Sequence, residues 1–272
     1  VNQILKDLSA PNLVTVLENN MFAFFTNYAH GAGCELYSGS NLVRFATGVV
    51  FPFFNGVVHT QLQPEQIDNT IITTLDYFRT KQLPMLWWTG TGTQPADLAK
   101  HLAAHGLNSL GVLPVMAIDL SALPEQKSST DNLSIIPVRD QQSLRHWVEI
   151  AAIAFQVPRT QWDAFFNLEL SLGWDSERYI RFIGYANNLP VATSALYLDG
   201  QVAGIYVVAT APEARKRGFA TAITLAALEK AHALGYHVGT LQASQMGVNV
   251  YRQMGFQEYS QVDMYVFMPV DS

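Results

Sequence analysis

Arg215, Lys216 and Arg217 stand directly ahead of Gly218, Phe219 and Ala220, an order of residue types suited to holding an anion. The run from Thr210 to Ala220 follows an apolar strand, expected over Val202–Thr210. It leads into an Ala-, Ile- and Leu-rich helix, expected over Arg217–Leu234. The first amides of a helix have no partners within it, and the helix dipole adds partial positive charge at the same end. A strand, a tight turn, a glycine and a helix N-terminus together form a site for a phosphate or pyrophosphate. Gly218 lets such a ligand approach the backbone with no Cβ in the way. The basic triplet adds charge.

The elements that must hold this loop can be read on either side of it. Upstream, Leu133–Val138 reads as a short strand, and Ser143–Phe155 and Thr160–Leu172 as helices joined around Pro158. Strands at Tyr179–Ala186, Val191–Leu198 and Val202–Thr210 follow. Asn187-Asn188 and Asp199-Gly200 separate them, and both pairs tolerate the positive φ of two-residue hairpin turns. Downstream come Gly235 as a helix stop, a strand at His237–Ala243, a helix at Val248–Met254, and a last strand at Phe256–Met268. Strand, helix and strand in that order imply a parallel crossover.

The first half repeats this order. A helix at Leu13–Tyr28 precedes strands at Glu35–Tyr37, Leu42–Thr47 and Gly56–Leu62. A helix at Pro64–Lys81, a strand at Pro84–Trp88, a helix at Pro95–His105 and a strand at Gly111–Leu120 complete it. Pro64-Glu65 echoes Pro212-Glu213, and His101–Leu107 aligns with Val250–Phe256. The stretch Gln61–Ile71 has no glycine and no basic residue, so the first half lacks the anion loop. The polar run Pro124–Asn132 is the natural linker. It divides the chain into a first domain, 1–123, and a second, 133–272.

Composition bounds the partners. Hydrophobic residues make up 49% of the 272 and charged residues 14%, enough to fill a core. A formal charge of −6 argues against nucleic acid, whose binding needs a basic face. A single cysteine, Cys34, rules out an internal disulfide and suits a reducing compartment. No uncharged run is long enough to span a bilayer and the N-terminus lacks the form of a signal peptide, so a cytoplasmic protein with no membrane partner is expected. His101 and His105 have the i, i+4 spacing of a helical zinc site, but Leu102 stands where the corresponding motif needs Glu, and no metal is expected.

The second half resembles the GCN5-related N-acetyltransferase (GNAT) superfamily. The acyl-CoA motif Arg/Gln-x-x-Gly-x-Gly/Ala reads Arg215-Lys216-Arg217-Gly218-Phe219-Ala220. A second signature, Tyr-x-x-x-Gly-Phe, reads Tyr251-Arg252-Gln253-Met254-Gly255-Phe256. The first half resembles, more loosely, the degenerate domain of that kind found ahead of the active one in some bacterial members.

The resemblance implies an α/β (α+β) fold of tandem acyl-CoA N-acyltransferase-like domains, each a mixed, mostly antiparallel sheet flanked by helices. It implies acetyl-CoA as cosubstrate and transfer of its acetyl group to a primary amine by direct attack. The strand Val202–Thr210 should splay from His237–Ala243, with backbone near Val208 and Thr210 facing the pantetheine arm. Amides from Arg215 to Thr221, through Lys216, Arg217, Gly218, Phe219 and Ala220, should hold the pyrophosphate. Ser244 stands where the family often has an Asn that contacts the cofactor. Tyr251 stands where members often carry the acid that protonates the departing thiolate. Its phenol, with a reference pKa of ~10, is protonated at neutral pH.

The strand Val202–Thr210 has no Asp or Glu to serve as base; Glu169, Asp175, Glu177, Tyr197, Tyr206 and Ser194 are the groups available nearby. The acceptor is a small-molecule or peptide amine, and two similar halves suit a monomeric pseudo-dimer. The alternatives are an acyl-CoA sensor without turnover, or an acyltransferase with another acyl donor.

Overall fold

The computed structural model describes residues 3–123 and 132–269. The expected linker Pro124–Asn132 lies outside the described residues apart from Asn132. In chain order the elements are α1 (Leu13–Asn27), β1 (Glu35–Ser38), β2 (Val43–Ala46), β3 (Asn55–Val58), α2 (Ile67–Thr80), β4 (Met85–Thr89), α3 (Leu98–Ala104) and β5 (Asn108–Asp119). They continue with β6 (Leu133–Pro137), α4 (Gln141–Ala154), α5 (Trp162–Ser171), β7 (Tyr179–Ala186), β8 (Leu189–Leu198), β9 (Ala203–Thr210), α6 (Phe219–Ala233), β10 (Val238–Gln242), α7 (Val248–Met254) and β11 (Gln257–Phe267).

These elements form two compact units, each drawn from two stretches of chain. One comprises Val1–Met21 with Pro114–Tyr259; the other comprises Phe22–Leu113 with Ser260–Ser272. The division differs from the linear one at 123/133 because pairing edges, not chain order, assign two strands. Val115–Asp119 of β5 pair with β10, and Asp263–Phe267 of β11 pair with β4.

In the first unit the strand order is β5-β10-β9-β8-β7-β6. The antiparallel meander β6 to β9 is closed by the expected turns. Asn187 and Asn188 both have positive φ, 51° and 64°, and Gly200 has φ 94°. The one parallel contact in this order is β9 with β10, made by the crossover through α6. Helix α6 is buried along Ala222, Ile223, Leu225, Ala227, Leu228 and Ala231, and packs on Leu196, Ile205 and Leu241 of the sheet. Its near-continuous apolar content is therefore matched by burial on a wide face.

Trp147 of α4 donates its indole N–H to the Ser194 carbonyl, 3.1 Å. Deep at the edge of this unit Arg181 bridges to Glu169 at 2.7 Å and donates to the carbonyls of Gly173 (2.6 Å) and Glu169 (2.9 Å). Both charges are fully buried and mutually satisfied.

The second unit has the order β1-β2-β3-β4-β11. β3 and β4 are its parallel pair, joined through α2, and the rest are antiparallel. Ile71, Leu75 and Phe78 of α2 pack with Val57, Met85 and Trp87 of the sheet. Both units are therefore mixed, mostly antiparallel sheets flanked by helices, as expected.

Candidate functional site

In the first unit, parallel pairing puts the C-terminal ends of β9 and β10 on one edge of the sheet, and the candidate residues gather there. The two strands pair only at Gly239↔Ala203 and Thr240↔Gly204. Among the described residues no residue of β9 beyond Gly204 pairs with β10, so the two strands diverge from that point.

A bulge deepens the divergence. Ala195 of β8 faces Tyr206, but Thr193 faces Ala209, so two steps on β8 span three on β9. Val207 absorbs the extra residue at φ 50°. A β-branched side chain rarely adopts that conformation, and bulges of this kind re-aim the strand at functional edges. The strain is held by a specific contact: the Thr193 hydroxyl donates to the Val207 carbonyl at 2.9 Å. Val208 and Thr210 follow directly on this re-aimed stretch.

The loop after β9 makes a short 3-10 turn, Pro212–Ala214, and then bends twice through left-handed residues, Lys216 (φ 62°) and Gly218 (φ 80°). Gly218 is the N-cap of α6, so the helix begins at Phe219 and not at Arg217 as the composition suggested. A left-handed residue cannot lie inside a right-handed helix, and glycine takes that conformation at least cost. The first intrahelical bond runs from the Ala222 amide to the Gly218 carbonyl, 3.0 Å. Among the described residues, none of the amides from Lys216 to Thr221 reaches a backbone acceptor.

Arg215, Lys216, Arg217 and Gly218 are exposed, Phe219 is buried, and Ala220 and Thr221 are half-buried. Arg215 donates from Nε to the Thr210 carbonyl at 3.4 Å, and the Arg217 guanidinium lies 4.7 Å from the Phe219 ring centre. The open amides and the three cations lie together at the candidate anion cradle, beside the diverging strands.

On the β10 side, Ser244 is exposed and its hydroxyl accepts from the Gly247 amide at 3.2 Å, shaping the turn that starts α7. Tyr251 lies on α7, its ring edge-to-face with Phe256 at 5.7 Å. Burial pushes its phenol up to about 12. Among the described residues its hydroxyl has no hydrogen-bond partner, so a protonated donor is available to a ligand.

Two residues escaped the sequence reading. The side-chain Nε2 of Gln242, the last residue of β10, is buried with no partner among the described residues. An orphaned buried amide is costly unless something accepts from it, at about 1–3 kcal/mol. Its sequence signal was a lone polar side chain ending an apolar strand. The second is Asn20 of α1, fully buried in the same unit. Its Oδ1 accepts from the Tyr206 hydroxyl at 2.6 Å, and its Nδ2 donates to the Val202 carbonyl at 3.3 Å.

The candidate bases do not gather here. Glu169 is committed to Arg181, and the Tyr179 hydroxyl also donates to it at 3.2 Å. The Ser194 hydroxyl donates to the Ile223 carbonyl at 3.1 Å. Tyr206 is committed to Asn20, and its buried phenol is raised well above the ordinary value. Burial likewise raises Tyr197. Asp175 and Glu177 line a cavity of about 740 Å³ that also takes in Lys230 and Leu234, at the C-terminal end of α6. Fifteen helical residues place that end about 22 Å from the anion cradle.

Residues 137–259 match the acetyltransferase (GNAT) domain family. No curated protein matches the sequence. Among solved structures the chain is similar to a GCN5-related N-acetyltransferase from Kribbella flavida, at 17% identity and a TM-score of 0.71, covering 96% of this chain and 98% of that one. It is similar to a GCN5-related N-acetyltransferase from Sphaerobacter thermophilus, at 15% identity and a TM-score of 0.61, covering 86% and 82%. A tandem GNAT protein from the clavulanic acid biosynthesis pathway shares 14% identity at a TM-score of 0.56, covering 89% and 85%. At these identities the likeness is one of fold. Among the described residues no helix is long and apolar enough to cross a membrane.

Proposed function

We propose, from the match of residues 137–259 to the acetyltransferase (GNAT) domain family, that the chain binds one acetyl-CoA and transfers its acetyl group to a primary amine. The observation that carries the reading is the pairing of an open strand edge with an open run of amides. Among the described residues β9 past Gly204 does not pair with β10, the amides from Lys216 to Thr221 reach no backbone acceptor, and Arg215, Lys216 and Arg217 bring three cations to the same loop. Acetyl-CoA supplies an activated thioester, whose acyl carbon an amine attacks as the C–S bond breaks.

The residues divide the work. Amides from Lys216 to Thr221, with Arg215, Lys216 and Arg217, would hold the pyrophosphate. Gly218 leaves room for it. Backbone at Val208 and Thr210 would pair with the amides of the pantetheine arm, and the Gln242 side chain offers a donor to a carbonyl in the cleft. Ser244 would flank the cofactor from the turn before α7. Tyr251 would deliver its proton to the departing thiolate. A phenol raised to about 12 stays protonated at neutral pH, so the donor is always loaded. The attacking amine must arrive neutral. No carboxylate lies on β9, and Glu169 is tied to Arg181, so its proton passes to water or to a group of the acceptor itself.

In this reading the sequence half 133–272 is the acetyltransferase, and the half 1–123 carries the same order of elements without the anion loop. The acceptor is a small-molecule or peptide amine, and the protein acts in the cytoplasm as a monomer. The absence of a carboxylate on β9 is the specific observation favouring the rival, a sensor that binds acyl-CoA without turnover. Calorimetry with acetyl-CoA on the full chain is expected to give one site. Two equivalent sites would refute the assignment to one half. A panel of amines read out by thiol release separates the two readings: turnover with any amine excludes the sensor, and saturating binding with none excludes the transferase.

A further inference from the structure

The point where β9 leaves β10 is marked by a residue from far away in sequence. Gly204 is the last residue of β9 paired to β10, and the Asn20 carboxamide of α1 sits on it. A Cβ built on Gly204 would lie 2.0 Å from Asn20 Oδ1, so only glycine allows the approach. The carboxamide then grips β9 on both sides of this point. Its Nδ2 donates to the carbonyl of Val202, before Gly204, at 3.3 Å, and its Oδ1 accepts from the hydroxyl of Tyr206, after Gly204, at 2.6 Å. The next residue is Val207, the left-handed residue of the bulge.

We propose that Asn20 is a positioning residue for the acyl-donor cleft, fixing the residue at which β9 parts from β10 and the set of the bulge that follows. The proposal rests on the acetyl-CoA reading above. Asn20 touches neither the anion cradle nor any expected reacting atom; it acts through Val202, Gly204 and Tyr206. A polar side chain with 0% exposure among Val16, Leu17 and Met21, at 2%, 0% and 0%, is a costly choice unless its two bonds hold something in place. Those two bonds span the point at which the strand changes partner.

The cleft and the cradle are separable by ligand, which makes the test specific. Acetyl-CoA uses both, whereas 3′-phosphoadenosine 5′-diphosphate, the cofactor without its pantetheine arm, uses the cradle alone. In the full-length protein, Asn20→Ala and Tyr206→Phe are each expected to weaken acetyl-CoA binding about tenfold to hundredfold, the effect of one lost buried hydrogen bond. Affinity for the nucleotide should remain at the parental value. Asn20→Asp keeps the acceptor for the Tyr206 hydroxyl and should bind acetyl-CoA more tightly than Asn20→Ala. The Ala and Phe changes together should cost less than the sum of each alone, because both break the same bond.

Equal loss of both ligands would mean a general structural defect and would overturn the proposal, as would parental acetyl-CoA affinity in folded Tyr206→Phe. Tyr206→Phe removes only a hydroxyl, so the question stays decidable if Asn20→Ala does not fold. A parent protein that binds neither ligand would instead refute the acetyl-CoA reading itself.

Discussion

The two units build the same crossover and finish it differently. In the second, β3 leads through a 3-10 turn at Pro64–Gln66 into α2 and back to β4; in the first, β9 leads through a 3-10 turn at Pro212–Ala214 to α6 and back to β10. Each parallel pair involves a glycine second in its leading strand, Gly56 opposite Leu86 and Gly204 opposite Thr240. Past that point the second unit closes what the first leaves open. The Gln94 amide donates to the Thr60 carbonyl at 3.0 Å, the Leu62 amide donates to the Gln94 carbonyl at 2.9 Å, and the Trp87 indole donates to the Thr60 hydroxyl at 2.9 Å. Backbone that faces an open cleft beyond Gly204 is thus spent on internal pairing beyond Val57.

The helix starts differ in the same sense. α2 follows its 3-10 turn directly, and Gln63 and Gln66 cap that turn reciprocally, the Gln63 amide donating to the Gln66 side chain at 3.3 Å. α6 is separated from its turn by Arg215–Gly218, and its first amides are left for something else. A helix that satisfies its own N-terminus has no need of an anion; one that does not has a place for one. The two units therefore share the crossover framework, and the proposed anion site depends on the residues Arg215–Gly218 that separate the turn from α6.

That contrast can be broken most completely at Gly218. Gly218→Asp forces a β-carbon into φ 80° and puts a carboxylate in the cradle, so acetyl-CoA binding should be lost. Far-UV circular dichroism should stay parental. Unchanged affinity in a folded variant would place the anion site elsewhere.

Tyr251→Phe sharpens it on the chemical side. Turnover with the best amine should fall about 10²–10⁴-fold, the range for a positioned acid, while acetyl-CoA affinity holds. A rate within a few-fold of the parent would remove Tyr251 from the mechanism. The same phenol makes a prediction in pH. Its folded value, about 12, lies above the ~10 of an unfolded tyrosine. The stability tied to its neutral form is thus complete below pH ~10 and is lost as pH rises through about 12. Tyr251→Phe should therefore flatten the alkaline decline in melting temperature over that window, and the parent rate should show no falling limb from this group at lower pH.

Next in size is a contrast in ion pairs. Arg181→Met leaves Glu169 buried without its partner and should cost about 3–5 kcal/mol in denaturant unfolding. Lys81→Met in the second unit breaks an exposed pair with Glu35, 2.6 Å apart, and should cost ~0–1 kcal/mol. Similar losses for the two would mean that Glu169 is not held mainly by Arg181.

How much of this was legible beforehand follows from locality. The hairpin turns at Asn187-Asn188 and Asp199-Gly200, the stop at Gly255 and the helix Val248–Met254 could be read, because each depends on residues within a few positions. The start of α6 was misplaced by two residues, since helical composition runs through Gly218 while backbone handedness does not. The strand expected over Gly56–Leu62 ends at Val58, because Gln61 makes only an isolated bridge with Gln94 and turns its amide to the Asn41 carbonyl. Asn20 gave no readable signal. A polar residue on an apolar helix face has meaning only once Tyr206, 186 positions away, is beside it.

Taken alone, the sequence determined the order of elements, the parallel crossovers and the residue types of the anion loop, because turn chemistry and hydrophobic period act over short spans. The tertiary structure decided which backbone groups were left unpaired. It set where β9 parts from β10, closed the matching edge after β3, assigned β5 and β11 by their pairing edges, and withdrew Glu169 into a buried ion pair. Whether a donor or acceptor is free depends on every group folded against it, and that is known only when distant segments meet.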